Sequence, residues 1–342
     1  MRYWLACLCF LFALPVWADQ LIIEPDMGRE PILSAIQHAR HSIKLVMYGL
    51  TDDSLINALI KQKQLGRTLN IILEQAPYNA NDENAKAIGL LNANSVNWKG
   101  TVPPYKLIHQ KTLLIDGKEA IVMTFNFTRS TFKKERNFAL IVDNPKIVRD
   151  IDAIFAADWN HVPSSVQSSS VIASPDNSRD VLLRLIRQAK KSIHVYAQSL
   201  NDYAISGALA KAAHKGVDVQ VLTSAKLREK QANYLQQAGI NIHYSQHYYI
   251  HAKVMIIDNQ KAVLGSINFT KNSLDHNREL AVVTNDETVI NLLNQTFSHD
   301  WNIANGTMSS TNLVNDAAVR AATRLMKKYL SLAIRTISKY NQ

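Results

Sequence analysis

Apolar and polar positions along the chain alternate with two different periods, and the whole alternation is written twice. In REPILSAIQHARHSIKLVMYGLTDDSLINALIKQKQLGRTLNIIL the apolar residues fall at helical spacing, then in a short unbroken run, then at helical spacing again up to Gly66, then in a second short run. That order predicts an amphipathic helix, a strand, a second helix, a glycine turn and a second strand. The stretch RDVLLRLIRQAKKSIHVYAQSLNDYAISGALAKAAHKGVDVQVL repeats it element for element. Ser42-Ile43 matches Ser192-Ile193 and Gly66 matches Gly216 at an offset of 150, whereas later landmarks match at an offset of 142. The first copy therefore holds eight more residues, placed most simply in the polar APYNANDENAK, which reads as a surface loop. FAADWN and FSHDWN, with Trp159 and Trp301, close each copy with a helix. An internal repeat of helices alternating with strands predicts an α/β protein. Its two similar α/β/α halves would be related by a pseudo-twofold axis, with equivalent edges brought together as in a symmetric dimer.

The boundaries follow from composition. Residues 1–18 carry one Arg, an apolar run and a small-residue ending at Ala18, the layout of a cleaved signal peptide and shorter than a spanning helix needs. The first half covers 19–160, a Ser-rich linker with two prolines covers 161–178, and the second half covers 179–304. Residues 305–342 form a basic amphipathic C-terminal helix, in which Arg320, Arg324, Lys327, Lys328, Arg335 and Lys339 lie among apolar residues at helical spacing. Such a helix either lies on a membrane or anionic partner, or docks on the protein with a solvated basic face. Cys7 and Cys9 both fall in the leader, so the mature protein has no thiol. Disulfides and cysteine metal sites drop out, and a periplasmic or secreted location is expected. The formal charge is +10, of which only Arg2 lies in the leader. That excess attracts polyanions and anionic membranes without choosing between them.

The chemistry sits in IHQKTLLIDGKEAIVMTFNFT and IHAKVMIIDNQKAVLGSINFT, which align without a gap. The first gives His109, Lys111, Asp116, Asn126 and Thr128; the second gives His251, Lys253, Asp258, Asn268 and Thr270. On a strand, residues two apart share a face, so each His-x-Lys pair points at one place. If the halves meet about the pseudo-twofold, two imidazoles and two ammonium groups converge. Such a cluster is unfavourable unless an anion is meant to enter it. No GxxxxGK[ST], GxSxG or HExxH is present, which removes phosphate-loop, serine-hydrolase and zincin chemistry.

HxKxxxxD followed by GSxN resembles the signature of the phospholipase D superfamily, and the similarity covers both halves. The resemblance implies hydrolysis or transfer of phosphodiesters with no metal and no cofactor. His109 and His251 would then supply nucleophile and general acid through a covalent phosphohistidine. Lys111, Lys253, Asn126 and Asn268 would hold the phosphoryl oxygens. Asp116 and Asp258 would be structural, and the hydroxyls of Thr124 and Ser266, matched across the halves, would support the site. The resemblance also implies that a carboxylate at Glu279 holds an imidazole through Nδ1. NREL matches ERNF, so Glu279 faces Asn137 across the repeat. On this basis Glu279 is expected beside His251, keeping it protonated as the acid, with His109 beside Asn137 as the neutral nucleophile. Tyr105, Tyr248 and Tyr249 precede the histidines and either line the entrance or pack a strand end.

The leading expectation is a secreted phospholipase D-like hydrolase acting on phospholipid at a membrane surface. A periplasmic or secreted nuclease with nucleic acid as substrate is the alternative, phosphatidyl transfer between lipids a variant, and a non-catalytic anion-binding protein the reading from another class. With both motifs in one chain, no oligomer is required.

Overall fold

The structure is a computed structural model and describes residues 19–77, 82–101, 103–164 and 168–307. The leader and all but the first three residues of the expected basic helix lie outside them.

In the first half the order is β1 (Gln20–Glu24), α1 (Glu30–His38), β2 (Ser42–Met47), α2 (Asp53–Gln64), β3 (Thr68–Leu73), α3 (Ala85–Ala93), β4 (Asn97–Lys99), β5 (Thr112–Ile115), β6 (Glu119–Met123), α4 (Thr131–Lys134), β7 (Glu135–Val142) and α5 (Pro145–Asn160). The second half gives β8 (Val171–Ser174), α6 (Ser178–Gln188), β9 (Ser192–Ala197), α7 (Tyr203–His214), β10 (Asp218–Thr223), α8 (Glu229–Gln237), β11 (Asn241–Tyr244), β12 (Tyr249–Ile250), β13 (Lys253–Ile257), β14 (Lys261–Gly265), α9 (Lys271–Asp275), β15 (Glu279–Thr284) and α10 (Glu287–Ala304). The local rules repeat with the sequence. Asp52 and Asp202 cap α2 and α7 by accepting backbone N–H groups of the first turn. Gly66 and Gly216, at φ +82° and +86°, take the left-handed conformation that stops each helix before the next strand.

The strand orders match position for position. One sheet runs β1-β7-β6-β5-β2-β3-β4 and the other β8-β15-β14-β13-β9-β10-β11. In each, the last three strands of that order are parallel and the rest antiparallel. One face of each sheet packs on its own outer helices. The other faces share one core with α5 and α10, in which Phe138, Leu140, Tyr196, Leu264 and Phe297 meet from both halves. A fully buried side chain of this size contributes roughly 2–3 kcal/mol, so this shared core holds the halves in one body.

The structure shortens the expected linker, because β8 and the first residue of α6 lie inside 161–178. Val171–Ser174 reads as loop by its neighbours, but it completes the sheet edge against β15 just as β1 does against β7. The polar insertion is also more than a surface loop. Asn84 is buried in it and bonds to Leu50 N, Tyr48 O and Glu74 O, each at 2.8 Å.

Candidate active site

The halves exchange backbone at the motif. Just before each histidine, the chain leaves its own half and pairs with the other. Ile108 bridges Arg278, with His109 N donating to Arg278 O at 2.9 Å; β12 lies along β7, with His251 N donating to Arg136 O at 3.2 Å. The residue before each histidine is pinned at the end of its own sheet, Ile108 N by Glu74 at 2.7 Å and Ile250 N by Ser224 at 2.8 Å. Each imidazole therefore faces the acid-bearing strand of the opposite half.

That crossing overturns the expected pairing. Glu279 accepts a hydrogen bond from Nδ1 of His109, not of His251, at 2.8 Å and with both side chains buried. His251 Nδ1 instead donates to Asn137 Oδ1 at 3.0 Å. The Asn137 Nδ2 donates to Glu135 at 2.9 Å, which fixes the amide with its oxygen toward His251. Glu135 itself stops 3.8 Å short of the ring. The sequence mispaired the groups because a repeat shows which positions are equivalent, not which half each one faces.

The cations do converge. Lys111 and Lys253 are fully buried at the entrances of β5 and β13, and each Nζ donates to the carbonyl of the histidine two residues before it. Lys253 Nζ also donates to Thr124 O of the first half at 3.1 Å and stands 3.3 Å from a His251 ring nitrogen. Four basic groups in a dry pocket cannot all stay charged. Burial pushes His109 down to about 4, with Glu279 offsetting part of the loss, and pushes Lys111 down to about 7. Burial and then Lys253, Lys111 and His109 drive His251 well below its ordinary value, and burial with Lys111 does the same to Lys253. Burial would raise Glu279, but His109, Lys111 and the Ser273 hydroxyl outweigh it and keep the carboxylate ionised. Burial thus favours the neutral forms of these bases, and an entering anion would favour their protonation.

Asn126 and Asn268 take different settings. Asn126 Oδ1 accepts from Gly49 N at 3.4 Å, whereas the buried Oδ1 of Asn268 has no protein partner. Thr124 accepts from Phe138 N at 2.9 Å and donates to Asn137 at 2.8 Å; Ser266 bonds both backbone groups of Leu280. These hydroxyls brace the strands that carry the acids. Asp116 and Asp258 lie on the far side, each at φ +54°, accepting backbone N–H groups of residues 40–42 and 190–192. They lock the turn between helix and strand.

Two buried clusters escaped sequence reasoning. Arg136 ion-pairs with Asp300 (Nε to Oδ2 2.7 Å) and Asp26; Arg278 pairs with Asp158 (2.8 Å) and Asp176 (3.0 Å). Each guanidinium reaches the closing helix of the other half, so two crossed ion networks bolt the halves behind the site. Tyr248 and Tyr105 cover the two guanidinium groups at 4.4 and 4.8 Å, which makes them packing residues; Tyr249 remains exposed. The signal was present, since Arg136/Arg278 and Asp158/Asp300 both recur at the offset of 142. Among the described residues no cluster of His, Cys, Asp or Glu could hold a metal, and no helix is long and apolar enough to cross a membrane.

The family model described as the cardiolipin synthase, phospholipase D-like domain matches residues 32–159 and again 182–301, more than half of the chain. The chain belongs to this family. Cardiolipin synthase 2 of Bacillus anthracis is 24% identical over 332 residues, covering 80% of this chain and 63% of its own length. Cardiolipin synthase B of Salmonella typhimurium is 24% identical over 319 residues, covering 79% and 76%. The chain thus spans less than two thirds of the Bacillus relative. The solved phosphatidylserine synthase of Haemophilus influenzae superposes with a TM-score of 0.62 at 10% identity, over 94% of this chain and 95% of that one, a likeness of fold.

Proposed function

We propose that the protein is a metal-independent phosphodiesterase of phospholipids that works through a covalent phosphohistidine. One observation carries this: two histidines and two lysines from opposite halves are buried together, with the ionised Glu279 carboxylate hydrogen-bonded to one of the two rings. Glu279 accepts Nδ1–H of His109 and leaves the Nε2 lone pair free to attack phosphorus. As the N–P bond forms, the ring becomes cationic, and the Glu279 carboxylate at 2.8 Å stabilises it. The P–O bond to the leaving alcohol breaks, and His251, protonated in the presence of the anion, gives its Nε2 proton to that oxygen. Water then attacks phosphorus while His251 takes its proton, and the N–P bond breaks to restore His109. Lys111, Lys253 and the two asparagines hold the phosphoryl oxygens. His109 keeps the nucleophile's role expected from the sequence, but its direct carboxylate is the reason.

The cardiolipin synthases among the relatives favour a second reading, transfer of the phosphatidyl group to an alcohol in place of water. The purified protein, with chelator present, is offered phosphatidylcholine vesicles with and without glycerol, and plasmid DNA. Headgroup release supports the lead, phosphatidylglycerol formation supports transfer, DNA nicking alone moves the substrate to nucleic acid, and no turnover leaves an anion-binding protein. Export through cleavage after Ala18 is part of the proposal, tested by finding Asp19 at the N-terminus of the protein recovered from the periplasm or medium.

A further inference from the structure

The pseudo-twofold that relates the imidazoles fails on the wall beside them. Tyr48 directly follows β2, and Gln198, its counterpart at the offset of 150, directly follows β9. Tyr48 is buried edge-on against His109, with ring centres 4.9 Å apart and Lys111 Nζ 5.3 Å from the tyrosine ring. The first half closes its side of the site with an aromatic ring, and the second half puts an amide there. Gln198 N donates to the carbonyl of Ala252, between His251 and Lys253, at 3.0 Å, and Lys253 pairs with Ala197 in the β9–β13 ladder. The Gln198 Nε2 donates to Tyr249 Oη at 3.4 Å, and the Tyr249 ring lies 6.3 Å from that of His251. Among the described residues nothing donates to Gln198 Oε1, although that atom is shielded from solvent. The second amide on this wall is Asn268, whose Oδ1 also lacks a protein partner, and the backbone joins the two, since Phe269 N donates to Ser199 O at 3.1 Å. In the first half Asn126 Oδ1 is met by Gly49 N, and Ser199 stands in place of that glycine. A buried carbonyl without a donor is costly, so two of them side by side mark ground where donors are expected to enter.

In-line displacement puts the leaving oxygen opposite the attacking nitrogen, and the second nucleophile returns along the same line, beside His251. A water molecule there has two protons. One passes to His251 Nε2 as the water oxygen bonds to phosphorus and the His109 N–P bond breaks, its electron pair returning to the ring. The other proton stays on the oxygen and needs an acceptor. Asn268 is engaged with the phosphoryl group, which leaves the Gln198 carbonyl. We infer that Gln198 Oε1 accepts this second proton's hydrogen bond, holds the hydrolytic water in line, and so favours water over a monohydric alcohol. The single hydroxyl proton of such an alcohol goes to His251 and leaves the carbonyl facing carbon. This rests on the phosphodiesterase reading above and, within it, makes Gln198 the residue that sets hydrolysis against transfer.

The test uses bis(4-nitrophenyl) phosphate, a soluble diester, in buffer containing ethanol. Nitrophenol released in the first turnover reads formation of the phosphoenzyme, and the ratio of 4-nitrophenyl phosphate to ethyl 4-nitrophenyl phosphate reads the choice of water or alcohol. Gln198→Met keeps the side-chain length and removes the carbonyl. It is expected to lower that ratio about tenfold, as loss of one hydrogen bond to a buried group allows, with first-turnover release within about twofold of the wild type. Gln198→Glu keeps an acceptor oxygen and is expected to hold the ratio near the wild-type value. A ratio unchanged in Gln198→Met, or lowered equally in Gln198→Glu, overturns the role of Gln198. A fall of first-turnover release and of both products by one common factor overturns it too, since that is what a structural residue would give. Nitrophenol release by the wild type with a ratio insensitive to Gln198 sinks this inference alone. No turnover of this diester, of phosphatidylcholine vesicles or of plasmid DNA sinks the phosphodiesterase reading and the inference with it.

Discussion

The two halves carry the same frame and opposite chemistry. The acid strand is entered through Asn277-Arg278-Glu279 in the second half and begins Glu135-Arg136-Asn137 in the first, so carboxylate and amide trade places about a shared arginine. The arginines do the same job in both, holding the closing helix of the other half. The outer positions do not. His109 meets a carboxylate directly, while His251 meets an amide with the carboxylate one bond behind it. The packing differs as well. A Cβ on Gly265 would lie 2.3 Å from Leu280 O, so the second half has no room for a side chain where the first carries Met123. A duplicated fold thus gives two identical histidines different hydrogen-bond partners by changing only what stands behind them.

Breaking the comparison at its centre has the largest expected effect. His109→Asn should lower kcat about 10⁵-fold with no phosphoenzyme, as loss of a nucleophile does. His251→Asn should cost about 10³-fold and allow the phosphoenzyme to accumulate on His109. Label recovered on His251 would reverse the roles. Next come the bolts. Asp300→Ala leaves Arg136 short of a partner and strips the Tyr196 hydroxyl of its 2.7 Å acceptor. It should destabilise by about 4–5 kcal/mol in urea denaturation, and Asp158→Ala by about 3 kcal/mol, because each arginine keeps one carboxylate, Asp26 or Asp176, but only Asp300 also serves a buried tyrosine hydroxyl.

Glu279→Gln should lower kcat about 10²-fold with KM little changed. The double exchange Glu135→Asn/Asn137→Glu, which makes both halves read N-R-E, should raise the pKa of His251 and shift the pH profile of kcat/KM upward by about one unit. A profile that stays in place would show that the Asn137 relay already acts as a carboxylate.

The last expectation concerns how stability depends on pH. Lys111 titrates near 7 in the folded chain and near 10.5 when unfolded. Between those values the unfolded state binds more protons, so stability rises with pH by up to about 1.4 kcal/mol per unit. Lys111→Met should remove that slope, read as the difference between the two proteins in denaturant midpoints across the window. Phosphate binding to the wild type at neutral pH should take up about one proton, visible in calorimetry in buffers of differing ionisation heat.

The elements of each half were legible because they depend on local rules: Gly66 and Gly216 need a left-handed φ, and the strands need apolar runs. The short β8 was not, since Val171–Ser174 has no strong pattern and owes its conformation to the β15 edge. Asp116 and Asp258 sit in their own turns, but the backbone groups they hold, His41 N and Lys191 N, come from 75 and 67 residues earlier in the chain.

By itself the sequence determined that there are two halves, which positions in them are equivalent, and that His109, Lys111, His251 and Lys253 belong to one chemistry, because repetition and strand period are properties of the chain. Only the tertiary structure decided that Glu279 serves His109, that Asn137 serves His251, and that Arg136 and Arg278 reach across. Those contacts depend on the backbone before each histidine crossing to the opposite sheet, and such a crossing is a matter of how two bodies dock, which no spacing along one of them encodes.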